Sequence, residues 1–387
     1  MSLPRAGNSP LENPSVSNAP SNAPVLGVAL VGTGFGQKIH LPGLQAHHRT
    51  QVVAVHHRDR QKAEAIAAAH GISHACQTIE EIIALPDAQA VSLSTPPFLH
   101  YEMAKPILEA GKHLLLEKPT ALNVQEAIAL YRLAEAKAVR VALDFEFRFV
   151  PAWQWFAELL AEGYVGQKRL IKVDWLVSSR ADASKPWNWY ACKDKGGGAL
   201  GAIGSHLFDY ITWLFCPVQR LCGRLSTTIS TRPDPLTGTA KPVDADDTCA
   251  LMLELVDGTL CQASLSAVTH QGRGHWVEVY GDRGTLILGS DNQSDYVHGF
   301  RLWAAPAGQP LAEVEIPAHL QFPQTYVDGR LAPFIRVVDR WVQSIDRRQT
   351  LAPSLREGVY SQLLMDLTHQ SSEAGQWIEV PSLESVI

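Results

Sequence analysis

Two parts of this sequence carry residue types that could do chemistry. The first is Gly32-Thr33-Gly34-Phe35-Gly36, which ends an apolar run at 25–32. Two glycines one residue apart after a buried strand form a phosphate-binding turn. The first permits the tight turn, the second lets the backbone approach a pyrophosphate, and the helix that follows offers free N–H groups and a positive dipole end. The third glycine of the usual pattern would fall at Gln37; here Gly36 stands one place earlier. About twenty residues on, where an acid would bind the ribose 2′-hydroxyl of NAD, the chain has His57, followed by Arg58, a residue suited to the 2′-phosphate of NADP. The reading leans to NADP. Asp59 keeps NAD open after a one-residue shift. The second part is a lysine, Lys118, ending an apolar run, and a histidine, His206, after Gly196-Gly197-Gly198 and Gly204-Ser205. An imidazole titrates near neutral pH and suits proton transfer. On spacing alone, Lys118 reads as a solvated strand-end lysine and His206 as a core histidine.

These residues need elements to position them. Apolar runs at 51–56, 90–94, 113–117 and 139–145 alternate with helical stretches, two of them opened by capping boxes at Thr78/Glu81 and Asn123/Glu126. Such alternation predicts a doubly wound parallel sheet, in which ligands bind beyond the carboxyl ends of the strands. Thr95-Pro96 and Glu117-Lys118-Pro119 both lie at such ends. From about 146 onward the pattern changes. Strand-like runs at 169–179, 247–268 and 275–288, with hairpin signals at Asp257-Gly258 and at 281–284, predict a large, mostly antiparallel sheet in an α+β domain. The expected organisation is a tail over 1–24, rich in Pro, Ser and Asn and read as disordered, a dinucleotide-binding domain over 25–145 and a second domain over 146–387.

Several ordered motifs together resemble the Gfo/Idh/MocA family of oxidoreductases: Ser94-Thr95-Pro96-Pro97 with His100, AGKHLLLEKP, the triple glycine, and Gly204-Ser205-His206 with Asp209. The resemblance runs from about Val25 to the C-terminus. It implies an NAD(P)-dependent enzyme that moves a hydride between nicotinamide and a CH–OH group of a sugar-like or cyclitol-like substrate. It also implies a cis Lys118-Pro119 bond, Lys118 and His206 as catalytic groups beside substrate and nicotinamide, and a homo-oligomer paired through the second sheet. Gly32, Thr33, Gly34, Phe35, Gly36, His57, Arg58, Ser94, Thr95, Pro96, His100, Glu117 and Lys118 are the expected cofactor contacts. Lys118, Arg148, Trp187 and His206 are the expected substrate contacts, and Asp209 is a candidate to orient His206. The chain departs from the family pattern at Ala202, where many members carry an aspartate four residues before the histidine. That leaves two alternatives open: a dihydrodiol or tetrapyrrole substrate, or a nucleotide-binding sensor without turnover.

Composition limits the other classes. The 387 residues are 46% apolar and 19% charged, with a formal net charge of −6, so the basic footprint of a nucleic-acid binder is missing. The six cysteines form no C-x-x-C pair and the histidines show no metal-ligand spacing. No apolar run is long enough for a membrane span. A cytoplasmic enzyme without metal, nucleic-acid partner or membrane anchor is the expectation.

Overall fold

The structure is a computed structural model that describes residues 24–293, 295 and 297–387. The tail expected over 1–24 lies, apart from Pro24, outside the described residues. The first part of the chain runs β1 (Leu26–Val31), α1 (Leu41–Ala46), β2 (Thr50–His56), α2 (Arg60–His70), β3 (His74–Cys76), α3 (Ile79–Ala84), β4 (Ala90–Leu93), α4 (His100–Glu109), β5 (His113–Leu116), α5 (Val124–Ala136) and β6 (Val141–Leu143). The six strands form one sheet in the order β3-β2-β1-β4-β5-β6, every pair parallel. The order reverses between β1 and β4, and the crevice beyond their carboxyl ends is where such sheets take ligands.

Alternate strand residues face opposite sides of this sheet. Ala29, Val31, Val91, Leu93, Leu114 and Leu116 share a core with residues of α3, α4 and α5. Val28, Leu30, Val52, Val55 and Leu115 share a different core with α1 and with Phe334, Val337, Val338, Trp341 and Val342. Those last five belong to a helix near the far end of the chain, residues Leu331–Asp346. The linear division at 145/146 therefore leaves one covering helix of the first sheet in the second segment.

The rest of the chain runs α6 (Pro151–Ala161), β7 (Lys168–Leu176), α7 (Ser205–Leu214), β8 (Val218–Ser226), β9 (Thr231–Pro233), β10 (Ala240–Pro242), β11 (Thr248–Leu255), β12 (Leu260–Ser266), β13 (Gly274–Gly281), β14 (Gly284–Ser290), β15 (Arg301–Pro306), β16 (Ala312–Val314), α8 (Leu331–Asp346), α9 (Leu355–Ala374) and β17 (Ile378–Glu379). Nine of these strands make a sheet in the order β16-β15-β14-β13-β7-β12-β11-β8-β17, antiparallel except where β12 runs parallel to β7. Asp257-Gly258 does turn β11 into β12, with Gly258 at φ +81°. One face of the sheet packs on Trp153 and Phe156 of α6, Leu207 and Phe208 of α7, and Val359 and Leu364 of α9. The opposite face stays open, so β11 alternates buried and exposed residues along its length.

Candidate active site

The glycine turn has the geometry a pyrophosphate needs. Gly32 sits at φ +103°, a conformation L side chains rarely adopt. At Gly34 a side chain would meet nothing within 4 Å, so this backbone faces open space. At Gly36 a Cβ would stand 2.2 Å from Ser94 Oγ. The displaced third glycine therefore serves close packing of the helix start against β4. The first turn after it is wide: Leu41 N–H donates to the Gly36 carbonyl, five residues back. The residues present fit a dinucleotide, whose phosphates Gly32, Thr33 and Gly34 would hold.

His57 and Arg58 lie just past the end of β2. The Asp59 N–H donates to His57 Nδ1 at 2.9 Å, and the Asp59 carboxylate accepts from Gln61 N at 3.0 Å and Lys62 N at 3.4 Å as the cap of α2. Asp59 is thus engaged by its own helix. Arg58 is exposed and enters no ion pair among the described residues.

Lys118, just past β5, and His206, on α7, lie near enough for the lysine charge to act on the imidazole. Lys118-Pro119 is cis, as the resemblance implies. Lys118 Nζ reaches the Ala202 carbonyl at 3.5 Å, the long end of a hydrogen bond. A second wide turn precedes His206: Ser205 N–H donates to the Leu200 carbonyl. Lys118 thus meets the main chain at the position where the family pattern would offer a carboxylate. His206 is 3% exposed, and its ring is set edge-on to Phe145 and Phe147, with centroids at 6.0 and 5.0 Å. Burial, then the charge of Lys118 and then His275, hold its pKa well below the ordinary histidine value. A neutral imidazole beside an ammonium can take a proton from a hydroxyl while the cation stabilises the oxygen left behind.

Other expected contacts are placed differently. His100 is fully buried, with Nδ1 2.9 Å from the Pro119 carbonyl and Nε2 2.7 Å from the Thr95 carbonyl. It ties the Thr-Pro-Pro turn to the Lys118 loop, and neither ring nitrogen is free for a cofactor. Ser94 Oγ donates behind the glycine turn, to the Val31 and Gly32 carbonyls at 3.2 and 3.3 Å. Thr95 Oγ1 is buried without a hydrogen-bond partner. Glu117 turns inward rather than toward the cleft. Arg148 is not free for substrate: its guanidinium forks onto Asp209 at 2.7–3.2 Å. The same pair removes Asp209 as the orienting partner of His206. Burial pushes the Asp209 carboxyl up to about 6 against the pull of Arg148. Trp187 donates from Nε1 to the Pro242 carbonyl, and its ring is covered by Lys241 Nζ at 3.6 Å from the centroid. Phe35 is set against His40 and under Arg330.

Reading the sequence missed a buried polar set under the site. His40, at the end of the first wide turn, has Nδ1 2.7 Å from Ser92 Oγ, Nε2 2.9 Å from Glu117 Oε1 and 3.7 Å from Asp144 Oδ2. The donor atoms of His40, Glu117 and Asp144 lie within 4.8 Å of one another. One signal could have found them. Ser92, Glu117 and Asp144 are polar residues in or just after three apolar runs that the parallel sheet lays side by side. His275 was also missed. It stacks on Trp175 at 3.9 Å, bonds Tyr210 Oη at 3.2 Å, and is held down to about 3 by burial.

A reversal point with a phosphate-binding glycine turn, and a lysine close enough to act on a buried, uncharged histidine, defines a nicotinamide-dependent oxidoreductase. The oxidoreductase-family NAD-binding Rossmann fold matches residues 26–145, and the family's C-terminal alpha/beta domain matches residues 157–380. The chain belongs to the Gfo/Idh/MocA oxidoreductase family. An uncharacterized oxidoreductase of Synechocystis sp. is 54% identical over 368 residues, covering 95% of this chain and 99% of its own. The levoglucosan dehydrogenase of Pseudarthrobacter phenanthrenivorans is 26% identical over 399 residues, covering 93% and 99%. Among solved structures, a levoglucosan dehydrogenase with NADH and L-sorbose has the same fold, with a TM-score of 0.85 at 24% identity over 93% of this chain and 100% of that one. An oxidoreductase domain protein from Kribbella flavida gives 0.84 at 26% identity over the same shares. No helix among the described residues is long and apolar enough to cross a membrane.

Proposed function

We propose that this enzyme moves a hydride between a nicotinamide dinucleotide, with NADP(H) preferred, and a CH–OH carbon of a sugar-like or cyclitol-like substrate. The observation that carries the reading is the buried His206, held neutral within reach of the Lys118 charge. When bound, the nicotinamide supplies the hydride acceptor or donor. In the oxidising direction His206 takes the hydroxyl proton, Lys118 stabilises the alkoxide oxygen as it forms, and the C–H electron pair leaves as hydride. Relatives whose names give a substrate act on small carbohydrates: levoglucosan, glucose 6-phosphate and D-apiose. The lean to NADP rests on the exposed Arg58 and on the engagement of Asp59 as a helix cap. Pairing of two copies through the open sheet face is part of the same reading, supported by exposed Leu170 and Leu260, which are partners on β7 and β12.

The test is titration of the purified protein with NADPH and NADH, following nicotinamide fluorescence, then a screen of anhydrosugars, aldoses, sugar phosphates and inositols. Tighter NADPH binding and turnover on a polyol are expected. Tighter NADH binding overturns the cofactor preference. Folded protein that binds neither overturns the enzyme reading, and tight binding without turnover on the whole panel, with dihydrodiols and bilins added, favours a sensor. Elution as a single copy in size-exclusion chromatography with light scattering removes the pairing.

A further inference from the structure

The buried set under Lys118 contains more ionisable groups than a core needs. Ser92, Glu117 and Asp144 come from β4, from the end of β5 and from just beyond β6, and His40 reaches them from the wide turn after the glycines. All four are under a tenth exposed. Such groups are costly inside a protein unless each is matched. Here the matches follow one pattern. His40 Nδ1 is hydrogen-bonded with Ser92 Oγ at 2.7 Å, and its other ring nitrogen, Nε2, with Glu117 Oε1 at 2.9 Å. Glu117 Oε2 accepts the main-chain N–H of Lys118 at 3.2 Å. The Glu117 and Asp144 carboxyls have oxygens within 4.8 Å of each other in this buried set, and two buried carboxyls so close do not both ionise: one of them holds a proton. Glu117 is the one with donors around it, from His40 and from Lys118 N–H. Asp144 has Oδ1 buried without a partner and faces the further carboxyl of Glu146.

We propose that His40 and Ser92 are positioning residues that fix a single negative charge on Glu117, directly behind the catalytic Lys118, with Asp144 beside it a neutral bystander, and that this charge and the bond to Lys118 N–H hold Lys118 in place for the reaction. Burial raises both carboxyls. The donors from His40 and the charge of Lys118 reverse that for Glu117, bringing it to about 2, whereas Asp144 stays well above the ordinary aspartate range. Around the pair, the facing charged and titratable groups are His40 from the turn before α1, Glu146 beyond β6, and Lys118 beyond β5. As an alkoxide forms in the cleft, the site already contains Lys118 and its counter-charge in fixed positions, so little reorganisation is needed.

This inference rests on the proposed hydride-transfer reading, and its test separates the two. The assignment is asymmetric. Asp144→Asn keeps a neutral, hydrogen-bonding group where a neutral one already stands, whereas Glu117→Gln removes the charge. We expect Asp144→Asn to retain kcat within threefold of the wild type. We expect Glu117→Gln to lose tenfold or more in kcat, with KM changed less than threefold and NADPH or NADH binding retained. A second readout needs no substrate. Infrared difference spectra at neutral pH between wild type and variant should show loss of a protonated carboxyl C=O band in Asp144→Asn and not in Glu117→Gln. If Glu117→Gln does not fold, the double variant Glu117→Gln/Asp144→Asn carries the same expected loss in kcat. Equal losses in the two single variants, or a band lost with Glu117 instead of Asp144, overturn the inference. A wild-type protein that binds neither nucleotide overturns the enzyme reading and leaves the infrared result to judge the charge assignment alone.

Discussion

Replacing Gly36 by alanine tests the reading of the glycine turn most directly. The new Cβ would stand 2.2 Å from Ser94 Oγ, with Leu30 Cδ1 and Ser94 Cβ both at 3.4 Å. The last two are ordinary contacts, so the whole conflict lies with one oxygen. It can be relieved in two ways. Ser94 can rotate and give up its bonds to the Val31 and Gly32 carbonyls, at about 1 kcal/mol. Alternatively the helix start can lift from β4, an overpacking cost of about 1–3 kcal/mol. Either route puts the loss at about 1–3 kcal/mol, or roughly 2–4 °C of melting temperature per kcal/mol for a large domain. Lifting the helix start also moves the N–H groups meant for the pyrophosphate, so nucleotide affinity should fall about tenfold, the equivalent of about 1.4 kcal/mol. Ser94→Ala removes the conflicting oxygen. The double variant should therefore melt above Gly36→Ala alone, with a coupling of about 1–2 kcal/mol in the cycle. Thermal melts and fluorescence titrations of the four proteins read this out. If Gly36→Ala matches the wild type in both, or if Ser94→Ala restores nothing, Gly36 is not where the helix must pack closely and the account of the displaced glycine fails.

Other perturbations follow from the same geometry. His206→Asn should lower turnover about 10²–10⁴-fold with nucleotide binding intact, and in the wild type the acid limb of the oxidation profile should lie below the ordinary histidine value of 6.5, because burial keeps the base neutral above it. Lys118→Ala should cost about 10²–10³ in kcat, measured against the same substrate. Arg58→Ala should weaken NADPH binding about tenfold or more and leave NADH unchanged; an equal loss for both would place Arg58 away from the 2′-phosphate. His275 ties stability to pH. Its folded value, about 3, is below its ordinary 6.5, so the unfolded chain binds the extra proton. This contribution is complete above 6.5 and is lost on acidification toward 3, at up to about 1.4 kcal/mol per pH unit. Melting temperatures from pH 7 to 4 should fall less steeply in His275→Phe than in the wild type.

Much of the first sheet was legible because its strands are buried on both faces and so read as unbroken apolar runs, while the helices between them carry local caps. Asn123 accepts the Glu126 N–H at 2.9 Å and Glu126 returns a bond to Leu122 N–H, an interaction contained within five residues. The polar set was not legible in the same way. His40 lies 52 positions from Ser92 and 77 from Glu117, and each of them alone passes for an ordinary core or strand-end residue. The spacing of His206 and Asp209 on one helix face suggested a pair. The carboxylate instead goes to Arg148, 61 positions earlier, and nothing near Asp209 in sequence announces a guanidinium. His100 was misplaced for a related reason: being next to the Thr-Pro-Pro turn is visible in sequence, whereas the bond to the Pro119 carbonyl across the sheet is not.

The helix Leu331–Asp346 has a bearing on how the molecule comes into being. Its Phe334, Val337, Val338 and Trp341 complete the core over β5 and β6, beside α1, yet on the ribosome they appear nearly two hundred residues after the last strand of that sheet. At a synthesis rate of about 5–20 residues per second, the part of this face over β5 and β6 would stay uncovered for roughly ten seconds or more. The first half of the chain is thus dependent on the second for its own completion. A fragment ending near 145 should be a poor substitute for the nucleotide-binding half, being prone to aggregate through that uncovered part, and in the growing chain the same surface is a natural place for a chaperone to act.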